Sequence, residues 1–130
     1  MANIEKSNLR FEKRVMKKRE LKMRRYDFEV QSIHPPEYRG SFYGIFDKER
    51  ARGNLSYRKV IKEIAPPPEL LRDFVFVSAA TLTIIKHLYD FYKEIKSKKG
   101  KVYITIKGKS YDLEAYSIDE LKVKMSTEDE

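Results

Sequence analysis

The sequence predicts an α+β protein in which a small antiparallel or mixed sheet packs on one long helix. Three observations support this prediction. Residues 26–34 alternate between apolar and polar side chains, residues 70–95 repeat apolar side chains at helical spacing, and residues 101–116 have the pattern of a β-hairpin. Strand and helix patterns therefore occupy separate segments of the chain, as is typical of α+β domains.

Length and composition indicate a single domain of 130 residues, with 41% hydrophobic residues for a core and 37% charged residues for a solvated surface. The chain has no cysteine, which excludes a disulfide framework, a thiolate zinc site and a cysteine nucleophile. Charges occur throughout the first thirty residues, so no secretory signal peptide is apparent. We therefore expect a cytoplasmic protein.

The net charge of +8 is concentrated at the N-terminus. Residues 1–25 contain ten Lys or Arg and three Glu, a net of +7, whereas residues 26–130 carry a net of only +1. The prediction is therefore a basic arm at 1–25, an α+β domain at 26–126 and an acidic tail at 127–130.

The basic arm is composed of good helix formers, with Ser7 or Asn8 as a possible N-cap. Its apolar residues Leu9, Met16 and Met23 recur only every seventh position, which is too few for firm docking on a core. We expect a helix that protrudes from the domain or forms only on a partner.

The first strand is predicted at 26–34 and ends at Pro35-Pro36. Residues 37–54 are expected to form a loop with a short helix around 45–51. Residues 56–65 have apolar side chains at helical spacing, which favours a helix, although their short length and the prolines that follow leave a strand possible.

The long helix is predicted at about 67–98, starting at Pro66-Pro67-Pro68 and ending at Gly100 as a left-handed cap. It would be ~45 Å long, whereas a compact domain of this size is roughly 33 Å across. Only twelve uncharged residues stand between Asp73 and Lys86, so a transmembrane span of about twenty residues is not expected. Its apolar back face predicts a self-association surface, made of Phe76, Ala79, Ala80 and Thr83.

The hairpin is expected at 101–116, with Gly108-Lys109 as a two-residue type II′ turn. This turn would pair Ile106 with Tyr111, Ile104 with Leu113 and Val102 with Ala115. After the hairpin, Ser117 and Glu120 have capping-box spacing, which predicts a short final helix ending near Met125.

The order of these elements resembles the effector-associated constant component family. The resemblance rests on the helical stretch 70–95 and on the hairpin segment 101–113. It implies a small α+β adaptor domain of a prokaryotic conflict system. The family pattern lacks the basic arm and would place a strand near Val60, and no functional residue can be carried over from it.

Catalytic motifs are absent from the sequence, so we expect a protein that is not an enzyme. Its two histidines, His34 and His87, lie far apart in sequence and are expected to have structural or surface roles. No metal or cofactor is predicted. Tyr103 could form a secondary basic-aromatic surface with Lys101, Lys107 and Lys109, although a solvated sheet face is the simpler interpretation.

The basic arm carries the functional prediction, because closely spaced Lys and Arg residues bind phosphates and release condensed counterions. We expect a non-catalytic protein that binds nucleic acid or a ribonucleoprotein with little sequence specificity. Its predicted contacts are Arg10, Lys13, Arg14, Lys17, Lys18, Arg19, Lys22, Arg24 and Arg25. An acidic protein, a membrane surface or a purely solubilising role are alternatives for the arm. The alternative function is a protein–protein adaptor or homo-oligomerisation module acting through the long helix and the sheet.

Overall fold

An antiparallel sheet of five strands and three α-helices make up the computed structural model, which describes residues 25–62 and 64–127. In chain order the elements are β1 (Tyr26–His34), α1 (Arg39–Ala51), β2 (Leu55–Val60), β3 (Leu71–Ala79), α2 (Thr83–Ile95), β4 (Lys101–Ile106), β5 (Lys109–Asp112) and α3 (Ile118–Thr127). Single 3-10 turns precede α1 at Pro36–Tyr38 and follow α2 at Lys96–Lys98. The predicted α+β class is confirmed.

The strands lie in the order β2-β3-β1-β4-β5, and every neighbouring pair is antiparallel. The first six elements, β1 to β4 with α1 and α2, therefore form a split βαβ arrangement. Strand β5 extends the sheet beyond β4, and α3 follows it. The middle strand is β1, with β3 and β4 on either side of it, so the side chains of these three strands occupy the middle of both sheet faces.

Alternation along the strands gives the sheet an inner face that the helices cover and an outer face that they do not. Inner-face residues such as Val30, Val75 and Ile104 are wholly buried and belong to one hydrophobic core. All three helices contribute to this core, for example through Phe42, Leu88 and Leu121. Antiparallel sheets commonly leave one face in contact with water, and here that face carries the candidate site.

The strand at 26–34 is confirmed as β1. The capping box is confirmed too, because the Glu120 amide donates to Ser117 Oγ at 3.1 Å and the Ser117 amide donates to the Glu120 carboxylate at 3.3 Å. These two predictions succeeded because alternation and capping depend on residues close together in sequence.

The predicted long helix at 67–98 is wrong over its first half, where residues 71–79 form β3 and only 83–95 form α2. Apolar residues occupy every position from Phe74 to Val77, so this stretch satisfies both the helical and the strand period. Residues 71–79 form a strand because they pair with β1 on one side and with β2 on the other.

Two further predictions differ from the structure for similar reasons. The helix expected at 56–65 is replaced by strand β2 over Leu55–Val60, which adds to the free edge of β3. The short helix expected around 45–51 is longer and begins at Arg39, because Phe42 and Phe46 are wholly buried in the core beneath the sheet.

A hairpin is confirmed, but it ends at Asp112 and not at 116, because residues 113–115 form a turn. Its own turn and register also differ from the prediction. Ile106 pairs with Lys109 and Ile104 with Tyr111, so the turn residues are Lys107 and Gly108. Both have positive φ, 48° and 83°, as a type I′ turn requires. The pairing differs by two residues from that predicted, which preserves the face of every side chain.

Gly100 does not form the predicted left-handed cap, because Lys99 takes that conformation, with φ of 63°. Gly100 is instead required by close packing. A Cβ atom there would lie 2.6 Å from Cβ of Ile95, which is itself wholly buried.

The predicted helical arm at 1–25 and the tail at 127–130 fall largely outside the described residues. Of the arm, only Arg25 is described, and of the tail only Thr127, which ends α3.

Candidate nucleic-acid interface

The outer face of the sheet carries two aromatic side chains on β3, the strand next to the middle strand β1. Phe74 and Phe76 are two residues apart, so both project from the side opposite to the core residues Val75 and Val77. Phe74 is 5% exposed although it does not belong to the main core, whereas Phe76 is partly exposed. Phe76 therefore offers an apolar surface on this face, and the neighbouring Phe74 ring is buried.

A cation lies over each of these rings. The Arg58 guanidinium, from the paired strand β2, is 5.1 Å from the Phe76 ring centroid. The Lys62 ammonium is 4.6 Å from the Phe74 centroid. Such arrangements hold positive charge next to an aromatic surface.

Strand β1 contributes polar side chains to the same face. Glu29 is the register partner of Phe76, and Gln31 is the partner of Phe74. The Glu29 carboxylate accepts a hydrogen bond from the Lys62 ammonium at 2.5 Å. Lys62 thus contacts both the Phe74 ring and Glu29.

Strand β4 extends this face with Tyr103, the partner of Gln31, and with Lys101, the partner of Ile33. Lys101 lies 3.8 Å from Asp112. The predicted basic-aromatic surface is thus only partly assembled, since Lys109 pairs with Ile106 and so lies on the inner side of the register.

Arg25, the one described residue of the basic arm, contacts the sheet on this outer face. Arg25 donates from Nε to Ser78 Oγ at 2.9 Å and from Nη2 to the Ser78 carbonyl at 3.0 Å. Ser78 is two residues beyond Phe76 and projects from the same side of β3. Arg25 is thereby the one predicted phosphate contact whose position the structure describes, and it lies next to the aromatic residues.

Arg72 is a further cation of this face, at the opposite end of β3. Its register partner is Ile33, and its buried Nε atom has no hydrogen-bond partner among the described residues. The Arg72 side chain is partly exposed, so its positive charge lies at the edge of the aromatic surface.

The remaining predicted surface is not assembled. Phe76, Ala79, Ala80 and Thr83 were expected to share one helix face. Ala79 instead is wholly buried on the inner side of β3, Phe76 projects outward, and Thr83 begins α2. These residues do not form one surface because the strand places its neighbours on opposite faces. Homo-oligomerisation itself stays a prediction.

A buried polar network on the inner side of the sheet has the hydrogen-bonding order of a Ser-His-Asp triad. Ser32 Oγ lies 2.6 Å from His34 Nδ1, and Asp73 Oδ2 lies 2.9 Å from His34 Nε2. Both Ser32 and His34 are wholly buried, so Ser32 cannot reach a substrate. Burial lowers the pKa of His34 despite the neighbouring Asp73 carboxylate. The network therefore joins β1 to β3 as a structural element.

Glu49 forms a second buried polar cluster, between the end of α1 and the start of α2. Its carboxylate accepts hydrogen bonds from Asn54 at 2.6 Å and Thr83 at 3.0 Å, and lies 3.3 Å from Arg52 and from His87. Burial by itself would raise the pKa of Glu49, but these hydrogen bonds and charges outweigh it and lower the pKa. The cluster holds the two helices together.

We expect Glu49→Gln to lower the free energy of unfolding at neutral pH by about 2 kcal/mol, because the amide is a weaker acceptor and adds a buried donor. A lowered folded-state pKa stabilises the fold above the unfolded pKa, and this contribution is lost as pH falls through the folded pKa. The difference between the two proteins should therefore shrink under acid. Urea unfolding at several pH values measures this difference in free energy of unfolding, with Glu94→Gln at an exposed position as control. A difference that does not change with pH would contradict the lowered pKa of Glu49.

Sequence reasoning missed the outer face, although β3 contained a pattern that could have indicated it. The RNP1 signature of RNA-recognition motifs is (Lys/Arg)-Gly-(Phe/Tyr)-(Gly/Ala)-Phe-Val-x-(Phe/Tyr). The chain has the specified residue types at Arg72, Phe74, Phe76 and Val77, and departs from them at Asp73, Val75 and Ala79. The pattern is informative only on a strand, so the helical prediction concealed it.

Comparison of the chain with protein-family models, with curated proteins and with solved structures finds no match. The resemblance to the effector-associated constant component family therefore stays a prediction. Within residues 25–62 and 64–127, no group of His, Asp or Glu side chains is placed to hold a metal ion. In the same part of the chain, every helix is too short or too polar to cross a bilayer.

Proposed function

We propose that this protein binds single-stranded nucleic acid across the outer face of its sheet, with the basic N-terminal segment adding phosphate contacts. The observation that carries the proposal is the pair of aromatic rings Phe74 and Phe76 on the outer face, each with a cation over it. Phe76 is partly exposed and Phe74 is 5% exposed. Unpaired bases stack on such rings, and the cations neutralise the phosphates that join them.

Charge on the outer face supports a polyanionic ligand. Within residues 25–62 and 64–127, five cations project from this face or lie over it. Four carboxylates lie on it or beside its cations, Asp27, Glu29, Asp112 and Glu114, the last of them 3.8 Å from Lys101. The cations are Arg25, Arg58, Lys62, Arg72 and Lys101. Residues 1–24 add nine further Lys or Arg. Binding should therefore be tightest at low salt.

The position of the rings favours single strands over duplexes. In a duplex the bases are stacked on one another and present only their edges, whereas a flat aromatic surface requires an exposed base plane. Sheets of split βαβ domains bind RNA in this way when their central strands carry aromatic residues. The topology is only an analogy; the aromatic and basic side chains on the outer face are the specific support.

Phe76→Ala is expected to weaken binding about tenfold, because one base–aromatic stacking contact is worth about 1–3 kcal/mol. Fluorescence anisotropy with labelled RNA and DNA of about eight nucleotides measures the effect. Val123→Ala is the matched control, since Val123 is an exposed apolar residue of α3 in the helical layer.

Thermal unfolding of each variant shows whether its fold is retained, as expected for a partly exposed side chain. Equal affinities for Phe76→Ala and the unaltered protein would contradict the proposed surface. Preference for a duplex of the same sequence would contradict the stacking mode.

A further inference from the structure

We propose that Glu29 makes the outer face selective for guanine among the common bases. This inference rests on the proposed function and adds to it a base preference that the basic segment cannot provide. It follows from the position of the Glu29 carboxylate next to Phe76, the more exposed of the two β3 rings.

The sheet register places Glu29 directly opposite Phe76 on the adjacent strand, and on the same face. Residues opposed in this way have Cβ atoms about 4.5–5.5 Å apart. Arg58 comes from β2 on the other side of Phe76, and its guanidinium lies over the ring, 5.1 Å from the centroid. A base stacks on Phe76 when this guanidinium moves aside towards β2, onto a phosphate of the ligand. The base then has the Glu29 carboxylate on its β1 side and the guanidinium on its β2 side, so its edge meets the carboxylate.

A carboxylate can only accept hydrogen bonds, and its two oxygens can accept from two donors side by side. Guanine has such a pair on its Watson–Crick edge, the N1–H and the N2 amino group. Adenine and cytosine each place one amino group beside a ring nitrogen that is itself an acceptor. Uracil places its N3–H between two carbonyl oxygens, which the carboxylate repels. Guanine is thus the best match and uracil the poorest.

In the free protein, Lys62 forms an ion pair with the Glu29 carboxylate, but this pair does not prevent the recognition of guanine. The side chains of Lys62 and Glu29 are 38% and 24% exposed, and ion pairs between partly solvated groups contribute little to stability. When Lys62 moves to a phosphate of the ligand, it also uncovers the Phe74 ring beneath it. One displacement therefore frees both the base-reading carboxylate and a second stacking surface.

The test compares RNA oligomers of about eight nucleotides that are uridine throughout except for one central base. With the unaltered protein, the guanine oligomer should bind about tenfold more tightly than the all-uridine oligomer. Inosine, which lacks the N2 amino group of guanine, should lose much of this gain. This comparison changes only the ligand, so it does not depend on a variant that folds.

Glu29→Ala should bring the guanine and uridine oligomers to nearly equal affinity, whereas Glu94→Gln, on α2, should leave the preference unchanged. Equal binding of all oligomers by the unaltered protein, or a guanine preference that survives Glu29→Ala, would overturn the inference while leaving the proposed function intact. Failure to bind any of the oligomers would overturn the proposed function and this inference with it.

Discussion

Replacing the predicted phosphate contacts within residues 1–24 by glutamine is expected to weaken the binding of a single-stranded oligonucleotide by at least about 1,000-fold at low salt. The substituted residues are Arg10, Lys13, Arg14, Lys17, Lys18, Arg19, Lys22 and Arg24. Each neutralised phosphate releases condensed counterions, so the logarithm of the affinity falls with the logarithm of salt in proportion to the number of contacts. For single strands the slope should decrease by about five to six.

Anisotropy titrations over a salt series measure this slope. A matched pair of triple variants separates position from net charge. Lys17, Lys18 and Arg19 changed to Gln should reduce the slope by about two. The same loss of charge at Lys86, Lys93 and Lys122, exposed in the helical layer, should change it little. Equal slopes for the two triple variants would contradict a specific role for the basic segment.

Asp73→Ala is expected to lower the free energy of unfolding by about 3 kcal/mol, because the carboxylate is the centre of the buried network. Its Oδ2 accepts from His34 at 2.9 Å and from Arg39 at 3.1 Å, while Oδ1 accepts from Arg39 and from Tyr43, each at 3.1 Å. Without Asp73 the buried ring N–H of His34 has no acceptor there. Arg39, half exposed, can turn to water, which limits the loss.

Chemical denaturation at neutral pH measures this effect. Asp90→Ala, at an exposed position of α2, removes a carboxylate without a buried network and should change stability by less than about 0.5 kcal/mol. Asp73→Asn keeps the shape of the side chain and one acceptor oxygen. Its loss of unfolding free energy should therefore lie between those of Asp73→Ala and Asp90→Ala. A loss for Asp73→Ala as small as that for Asp90→Ala would contradict a structural role for the network.

The same network also sets the acid sensitivity of the fold. Burial lowers the pKa of His34 from its ordinary value of 6.5, so the unfolded chain binds a proton at a pH where the folded chain does not. The stabilisation from neutral His34 is therefore complete above about pH 6.5 and is lost as pH falls through the folded pKa. Glu49 acts in the same direction at lower pH, so both buried clusters make the fold less stable in acid.

Local patterns were sufficient for part of the fold. The alternation of Tyr26–His34 and the capping pair Ser117 and Glu120 each involve neighbours in sequence, and both predictions are confirmed. The hairpin was located correctly, but its turn type depended on the φ angles of Lys107 and Gly108. Moving the turn by one residue changes each strand partner by two residues. Such a change leaves the same sheet faces apolar, so the apolar pattern cannot distinguish the two turn positions.

The candidate site lay within the segment whose interpretation failed. On a helix, Phe74 and Phe76 point in different directions; on β3 they project side by side from one face. Likewise, Glu29 is far from Phe76 in sequence and becomes its neighbour only through strand pairing. Charge alone predicts Arg25 as a contact, whereas its hydrogen bonds to Ser78 show on which sheet face its own side chain lies.

By itself, the sequence determined the α+β class, the first strand, the hairpin, the capped final helix and the concentration of positive charge in residues 1–25. The tertiary structure alone decided that residues 71–79 form a strand and that two aromatic rings, their cations and Glu29 share one uncovered face. The physical reason is that an apolar run such as Phe74–Val77 satisfies either periodicity. Only long-range hydrogen bonding between strands, which no local pattern records, removes that ambiguity.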